Sequence, residues 1–147
     1  PIIGLNARMD TLQCAVLLAK LPSFPDEVRA RGRIGAHYST LVREAIEQVV
    51  PPTVLEHNAS VFAQYTVQLE RRDAVQAALQ AEGIPTAVHY PVPLHLQPAF
   101  ASLGLGTGAF PVAEAAAARV MSLPMHPFLE PDQQARVVDA LARAVAG

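Results

Sequence analysis

Residues 61–70, VFAQYTVQLE, alternate between apolar and polar side chains. An alternation with a period of two predicts a β-strand with one face buried and the other in water. Phe62 is the one apolar residue on the otherwise polar face. The buried face is expected to carry Val61, Ala63, Tyr65, Val67 and Leu69.

A helix and a second short strand are predicted to follow. Residues 73–82 have apolar side chains at helical spacing. Gly83 stands where a left-handed cap would end this helix, and Ile84 is expected to pack back on Leu79. Residues 86–89 predict the second strand.

Further helices are predicted on both sides of these strands. Two of them cover residues 10–21 and 23–49, and two more cover 112–120 and 131–145, with a brief strand at 121–123. This order predicts an α/β fold with two layers, a small sheet covered by helices on one face. The buried stripe of the second helix is expected to carry Ile34, Tyr38, Leu41 and Ala45.

The composition fits one globular domain. The chain has 147 residues and a mass of 15.7 kDa, and it is 51% hydrophobic and 16% charged, which suits a packed core and not a disordered tail. A net charge of −2 provides no basic surface for nucleic acid. The single cysteine, Cys14, excludes an internal disulfide and fits a reducing compartment, so we expect a cytoplasmic protein.

The helix predicted over residues 10–21 is apolar on nearly all sides. Such a helix is normally covered by other structure on more than one side, which a domain of this size can hardly provide. We therefore expect it to form part of a partner surface. Cys14 lies on this helix and is expected to be an unreactive thiol in the core.

Two patterns resemble known sites without the context that those sites need. Residues 104–109, GLGTGA, fit a loose dinucleotide-binding pattern, but the segments before and after them are not the required strand and helix. A flexible loop is expected there. The histidines lack HxH and HExxH spacing, so no metal site is expected; they are His37, His57, His89, His95 and His126.

Two short segments carry polar side chains suited to binding. Asn6 and Arg8 would face one anionic ligand if the segment is extended; alternatively, Asn6 or Asp10 caps the next helix and Arg8 is solvated. His89 and Tyr90 stand at the start of a proline-rich loop, a common position for binding groups, or they form a pair at a strand end with Tyr90 half-buried. The residues alone leave these alternatives open.

Short motifs occur in a fixed order along nearly the whole chain. They are residues 4–10 (GLNARMD), 12–13 (LQ), 20–21 (KL), 62–67 (FAQYTV), 83–86 (GIPT), 89–95 (HYPVPLH), 110–114 (FPVAE) and 122–127 (SLPMHP). In this order they resemble the C-terminal part of the DegT/DnrJ/EryC/StrS family. Its members are pyridoxal-phosphate (PLP) dependent nucleotide-sugar aminotransferases of the aspartate aminotransferase fold, fold type I.

The resemblance implies a small C-terminal domain with a mostly antiparallel sheet, and an active site shared by the two subunits of a homodimer. Asn6 matches an asparagine that contacts the PLP phosphate of the neighbouring subunit, and Arg8 matches an arginine on the substrate side. His89 and Tyr90 match a pair that approaches the nucleotide sugar.

The reaction implied is transfer of an amino group from an amino acid, such as L-glutamate, to a keto-sugar nucleotide in polysaccharide biosynthesis. Residues 64–67 and 89–97 are most similar to the branch that aminates a 3-keto UDP-sugar.

The family holds PLP by a Schiff base to a lysine of a large domain that this sequence does not contain. Lys20, the only lysine, matches a helix position and not that motif. We therefore expect residues 1–147 to be the C-terminal domain of a longer enzyme, without a catalytic residue of its own and inactive alone, with residues 1–22 linking it to the large domain. A PLP-dependent sugar dehydratase of the same family and a stand-alone dimerisation or binding module stay open as alternatives.

Overall fold

A computed structural model describes residues 9–147 of the chain. None of the helices in this range combines the length and the hydropathy that crossing a membrane requires. The α-helices and β-strands are α1 (Thr11–Lys20), α2 (Phe24–Ala45), β1 (Tyr65–Gln68), α3 (Arg72–Ala81), α4 (Pro111–Arg119), β2 (Val120–Leu123) and α5 (Pro131–Ala146). Short 3-10 helices occupy Leu21–Ser23, Leu94–Leu96 and Pro98–Leu103.

The central sheet consists of β1 and β2, which pair antiparallel. Tyr65 lies opposite Leu123, and Val67 lies opposite Met121. Residues directly opposite each other share one face of a sheet, so all four side chains point to the same side, where they are buried. The small antiparallel sheet expected from the sequence is confirmed.

One hydrophobic core joins this sheet face to α2, α3 and α5. Tyr38 of α2 stacks on Tyr65 of β1, with ring centroids 4.9 Å apart. The Ser39 hydroxyl donates to the Gly35 carbonyl oxygen, so it accepts a 2.9 Å hydrogen bond from the Tyr65 hydroxyl. Burial raises the pKa of both tyrosines, and both hydroxyls therefore stay protonated.

Strand β1 is shorter than predicted, because the chain turns at Phe62. This residue has a left-handed backbone (φ 41°), and its ring packs against the core instead of facing water. The Ser60 hydroxyl accepts the Phe62 amide hydrogen at 3.1 Å, and Arg31 donates to the Phe62 carbonyl oxygen at 3.0 Å. The prediction of a strand from residue 61 is therefore wrong at its start, and Val61 and Ala63 are exposed.

Helix α2 buries a different stripe from the predicted one. Ile34, Tyr38 and Val42 face the core, whereas Leu41 is half-buried and Ala45 is exposed. The buried row follows the four-residue spacing that forms one ridge of a helix. The prediction placed the C-terminal half of this stripe one residue too early, at Leu41 instead of Val42.

Helix α2 also ends before residue 49, the predicted end. Ile46 has an extended backbone (φ −143°, ψ 95°) and its side chain is buried. Val49 is buried as well, and Val50 exchanges two backbone hydrogen bonds with Gln68 of β1, at 2.8 and 2.9 Å. Burial and pairing with the sheet edge outweigh the helical preference of this segment.

The cap predicted after α3 is confirmed. Gly83 has a φ of 74°, in the left-handed region that glycine adopts without steric cost. The Ile84 amide donates to the Leu79 carbonyl oxygen at 2.9 Å, and both side chains are buried. This cap fixes the direction in which the chain leaves α3.

Helix α1 contributes no buried residue to the described part of the domain. Asp10 caps it by accepting the amide hydrogen of Leu12 at 2.8 Å, which confirms the capping role considered for Asp10. Cys14 is only half-buried, so the expectation of a core thiol is wrong for this chain. We define the α1 surface as the exposed apolar side chains of α1 and of the residues just before and after it. They are Met9, Leu12, Val16, Leu17, Leu18, Leu21 and Phe24.

Alanine substitutions at the two glycines of α2 separate helix propensity from packing. A Cβ atom at Gly32 would meet no atom within 4 Å, whereas one at Gly35 would overlap the ring of Phe62. We expect Gly32→Ala to raise the free energy of unfolding by up to about 1 kcal/mol, and Gly35→Ala to lower it by about 1–3 kcal/mol. Chemical denaturation measures both, and a Gly35→Ala chain as stable as the wild type would contradict the contact with Phe62.

Candidate functional site

The segment that carries His89 and Tyr90 is attached to the edge of β2. Ala87 and Ser122 exchange two backbone hydrogen bonds, at 2.7 and 3.1 Å. The predicted strand over residues 86–89 is therefore reduced to a single bridge. Pro85 lacks the amide hydrogen that the next hydrogen-bonded pair on its side would need, which prevents a longer ladder there. His89 and Tyr90 leave the sheet directly after this bridge.

The His89 and Tyr90 rings lie side by side at the surface. Their centroids are 5.7 Å apart in an edge-to-face arrangement. His89 is exposed, and Tyr90 is 72% exposed. Both side chains are therefore available to a ligand or a partner, and the alternative with Tyr90 half-buried is wrong.

Two cavities meet at His89. One, of about 260 Å³, has Gln64, Thr86 and Ser122 among lining residues that are mostly apolar. The other, of about 560 Å³, is apolar, and we name it the apolar cavity. Its lining consists of His89, Tyr90, Val92, Pro93, Leu94 and Gln97 on the loop side, and of Ala113, Ala116, Ala117 and Val120 in and after α4.

A ligand bound across His89 would contact polar side chains on one side and an aromatic ring on the other. The exposed Gln64 amide offers hydrogen bonds on one side, and the Thr86 hydroxyl, which accepts from Gln76, can still donate one. The Tyr90 ring offers an apolar face and a hydroxyl on the other. This arrangement suits a ligand that has hydroxyl groups and a flat ring.

Asn6 and Arg8, the other predicted binding residues, lie outside the described residues. The structure therefore does not place them relative to His89 and Tyr90. Asp10, two residues after Arg8 in the sequence, caps the N-terminus of α1.

The described residues do not by themselves fit a complete PLP site. Such a site needs a lysine for the Schiff base beside the bound ring. Lys20 instead lines a pocket of about 420 Å³ on the α1 surface with Leu17, Leu21, Phe24 and Glu27, and this pocket includes neither His89 nor Tyr90. That Lys20 is not the anchoring lysine stays a prediction.

The histidines are spread over separate contacts. His37 Nδ1 lies 2.9 Å from Oε1 of Gln134, whose amide nitrogen donates to the Ile34 carbonyl oxygen. His95 pairs with Glu114, and His89 stands beside Tyr90. Within residues 9–147, no three His, Cys, Asp or Glu side chains converge as a metal site would require.

A pair that the sequence reasoning did not single out, one member buried and the other half-buried, lies next in sequence to residues that line the apolar cavity. His95 Nε2 is 3.0 Å from Oε1 of Glu114, and His95 is only 8% exposed. Glu114 also accepts the amide hydrogens of Gly108, at 2.9 Å, and of Phe110, at 3.2 Å. Both members belong to motifs of the family resemblance, residues 89–95 and 110–114, which is the one sequence signal that could have indicated them.

These contacts keep Glu114 ionised. The Gly108 amide lowers the pKa of Glu114 most strongly, with further contributions from Phe110 and His95, and these outweigh the opposing effect of desolvation. The carboxylate joins α4, the loop before it and the turn around His95. The rings of His95 and Phe110 pack edge to face, with centroids 4.8 Å apart.

Glu114 predicts a pH-dependent contribution to stability. Its pKa is lower in the folded state than in the unfolded chain. The hydrogen bonds of the carboxylate therefore stabilise the folded state fully above about pH 4.3, the ordinary pKa of glutamate. This stabilisation is lost as the pH falls through the pKa of Glu114 in the folded state. We expect Glu114→Gln to lower the thermal unfolding midpoint at pH 7 and to have little effect at about pH 2. A difference of equal size at both pH values, measured by circular dichroism, would contradict this role.

Comparison with known proteins identifies the family. The model of the DegT/DnrJ/EryC1/StrS aminotransferase family matches residues 1–142. UDP-2-acetamido-2-deoxy-3-oxo-D-glucuronate aminotransferase of Pseudomonas aeruginosa is 46% identical over 128 residues, which are 87% of this chain and 34% of that protein. A pleiotropic regulatory protein of Geobacillus stearothermophilus is 44% identical over 142 residues, 96% of this chain and 38% of that protein.

The crystal structure of a DegT DnrJ EryC1 StrS aminotransferase from Brucella abortus has a similar fold. It superposes with a TM-score of 0.86 at 40% identity, over 99% of this chain and 38% of that chain. The chain thus spans little more than a third of the length of these proteins. It belongs to the DegT/DnrJ/EryC1/StrS aminotransferase family and has the fold of part of a fold type I aminotransferase.

Proposed function

We propose that this chain is the C-terminal domain of a PLP-dependent aminotransferase that transfers the amino group of L-glutamate to a 3-keto UDP-sugar. The P. aeruginosa relative, whose name states a UDP-3-oxo-sugar substrate, supports the substrate class. Membership of the family supports the cofactor and the reaction. The cytoplasmic location expected from the composition stays a prediction.

The observation that carries this proposal is the pair of cavities at His89. A nucleotide sugar combines hydroxyl groups with the flat ring of the base, and the few polar side chains of the smaller cavity and the Tyr90 ring offer a complementary surface to each. His89 stands between them and supplies ring nitrogens for hydrogen bonds. The exposure of Tyr90 leaves room for a substrate brought by another subunit.

The roles of this chain in the reaction are binding and orientation. PLP, when bound, supplies the electron sink for the transfer. Asn6 donates its side-chain amide to the cofactor phosphate, and Arg8 pairs with a carboxylate or a phosphate of the substrate. His89 and Tyr90 hold the nucleotide sugar in place. The lysine that anchors the cofactor belongs to the part of the family's length that this chain does not span.

The α1 surface supports a homodimer. Its apolar side chains lie together on one short helix and the following turn, and Leu12 is 79% exposed. An apolar patch of this kind on a folded domain marks an interaction surface. Asn6 and Arg8 directly precede α1 in the sequence, so an interface at α1 brings them to the partner subunit.

Subunit mixing tests whether Asn6 acts across the interface. We propose to co-express two full-length variants, one with Asn6→Ala and one with the anchoring lysine replaced by alanine. If Asn6 serves the neighbouring subunit, each mixed dimer has one intact site, and the population recovers about a quarter of the wild-type rate of 2-oxoglutarate formation. Each variant expressed alone is the control and is expected to be nearly inactive.

The mixing experiment contradicts the shared site if the mixed dimers are no more active than the two variants alone. The nucleotide-sugar product also tests the reaction class, because an aminotransferase leaves an amino group on the sugar and a sugar dehydratase does not.

Charges placed on the α1 surface test its role in dimerisation. We expect Leu12→Glu with Val16→Glu to convert the full-length dimer to monomers, because carboxylates are costly to bury in an apolar interface. Leu55→Glu is the matched control, since Leu55 is also exposed but lies outside the α1 surface. Light scattering after size-exclusion chromatography gives the mass, and a double variant that stays dimeric would rule out α1 as an essential part of the interface.

A further inference from the structure

We propose that His95 and Glu114 are positioning residues that set the width of the apolar cavity and thereby the affinity for the nucleotide sugar. The inference rests on the proposed function, because it takes the cavity beside Tyr90 as part of the substrate site. It adds a role for two residues that do not themselves line that cavity.

The apolar cavity is a gap between two independent pieces of the chain. One wall is the loop that runs from His89 to Gln97, and the other is helix α4 with Val120 after it. The loop side is joined to the sheet through the pairing of Ala87 with Ser122, and it contains Pro91 and Pro93, which cannot donate backbone hydrogen bonds. The separation of the two walls therefore depends on contacts made by side chains.

The His95–Glu114 pair connects these two walls. His95 directly follows Leu94, which lines the loop wall, and Glu114 directly follows Ala113, which lines the helix wall. The 3.0 Å contact between the two side chains therefore connects the two walls, one residue away from the lining on each side. His95 is buried, so water has little access to its end of the contact, whereas the Glu114 side chain is 17% exposed.

The direction of this hydrogen bond is fixed by chemistry. The Glu114 carboxylate can only accept, so His95 must donate from Nε2. The same carboxylate accepts the Gly108 and Phe110 amides, so its two oxygens receive three donors. An amide in its place has a single acceptor oxygen and would turn an NH₂ group towards one of these donors.

Phe110 reinforces the connection from the far side. Its ring packs against the His95 imidazole, and its backbone leads directly into α4. The turn around His95, the loop up to Phe110 and the first turn of α4 are thus joined by these contacts into one unit. Tyr90 and Leu94 are held opposite Ala113, Ala116 and Ala117 by this unit.

The test uses the full-length, cofactor-loaded homodimer and isothermal titration calorimetry with UDP-N-acetylglucosamine as the probe. We expect Glu114→Gln and His95→Phe each to raise the Kd about tenfold, as the loss of a charge-assisted hydrogen bond does. His95→Gln retains an N–H donor of similar reach and is expected to bind within about threefold of the wild type. Glu82→Gln is the matched control, since it also removes a carboxylate from an ion pair, with Arg143 at 2.6 Å, at the C-terminal end of α3.

Steady-state kinetics provides a second readout. We expect the affected variants to have a raised KM for the sugar nucleotide and a kcat close to the wild-type value, because neither side chain reaches the reacting atoms. A purely structural role would lower the unfolding midpoint and leave the Kd and the KM unchanged. That result, or an equal loss of affinity in Glu82→Gln, would overturn the inference. If Glu114→Gln fails to fold, the comparison of His95→Phe with His95→Gln decides the question.

Tyr90→Ala separates this inference from the proposed function. If Tyr90→Ala weakens binding while Glu114→Gln and His95→Phe bind as the wild type does, the positioning role is wrong and the substrate site stands. If the wild type does not bind the probe, or if Tyr90→Ala binds equally well, the proposed site is wrong and the inference falls with it.

Discussion

The antiparallel pairing of β1 with β2 is the constraint on which the rest of the domain depends. Ser122 lies at its centre, opposite Thr66 of β1 on one side and paired with Ala87 on the other. The hydroxyls of Thr66 and Ser122 are 2.9 Å apart, in hydrogen-bond contact. The pairing directs Tyr65 and Val67 into the core and at the same time places the segment before His89 at the sheet edge. Fold and candidate site are therefore set by the same few residues.

The hydrophobic core and the surfaces suited to binding are formed by different parts of the domain. The core lies on one side of the sheet, where α2, α3 and α5 pack on each other and on the tyrosine pair. The surfaces suited to binding lie elsewhere, at the His89 loop and on α1, and both carry exposed aromatic or aliphatic side chains. A stable core permits such surfaces to stay exposed until a ligand or a partner covers them.

Much of the fold follows from local sequence signals, because those signals come from periodicity and from residues with special backbone preferences. The alternation from Tyr65 to Leu69 and the cap at Gly83 were predicted and are confirmed. The turn at Phe62 was not predicted, since its ring is drawn into the core by contacts with Tyr65 and with α2 that are distant in sequence. The end of α2 at Ala45 depends in the same way on pairing of Val50 with β1.

The candidate site was less accessible to sequence reasoning. His89 and Tyr90 were indicated by their place at the start of a proline-rich loop and by the family resemblance, and the structure adds the two cavities that meet there. The His95–Glu114 contact joins residues 19 positions apart, and no local pattern indicates such a pair. The most direct test of the central claim is a crystal structure of the full-length protein with cofactor and UDP-sugar. The account predicts that Asn6, His89 and Tyr90 of one subunit contact ligands anchored by the lysine of its partner; contacts made only to ligands of their own subunit would contradict it.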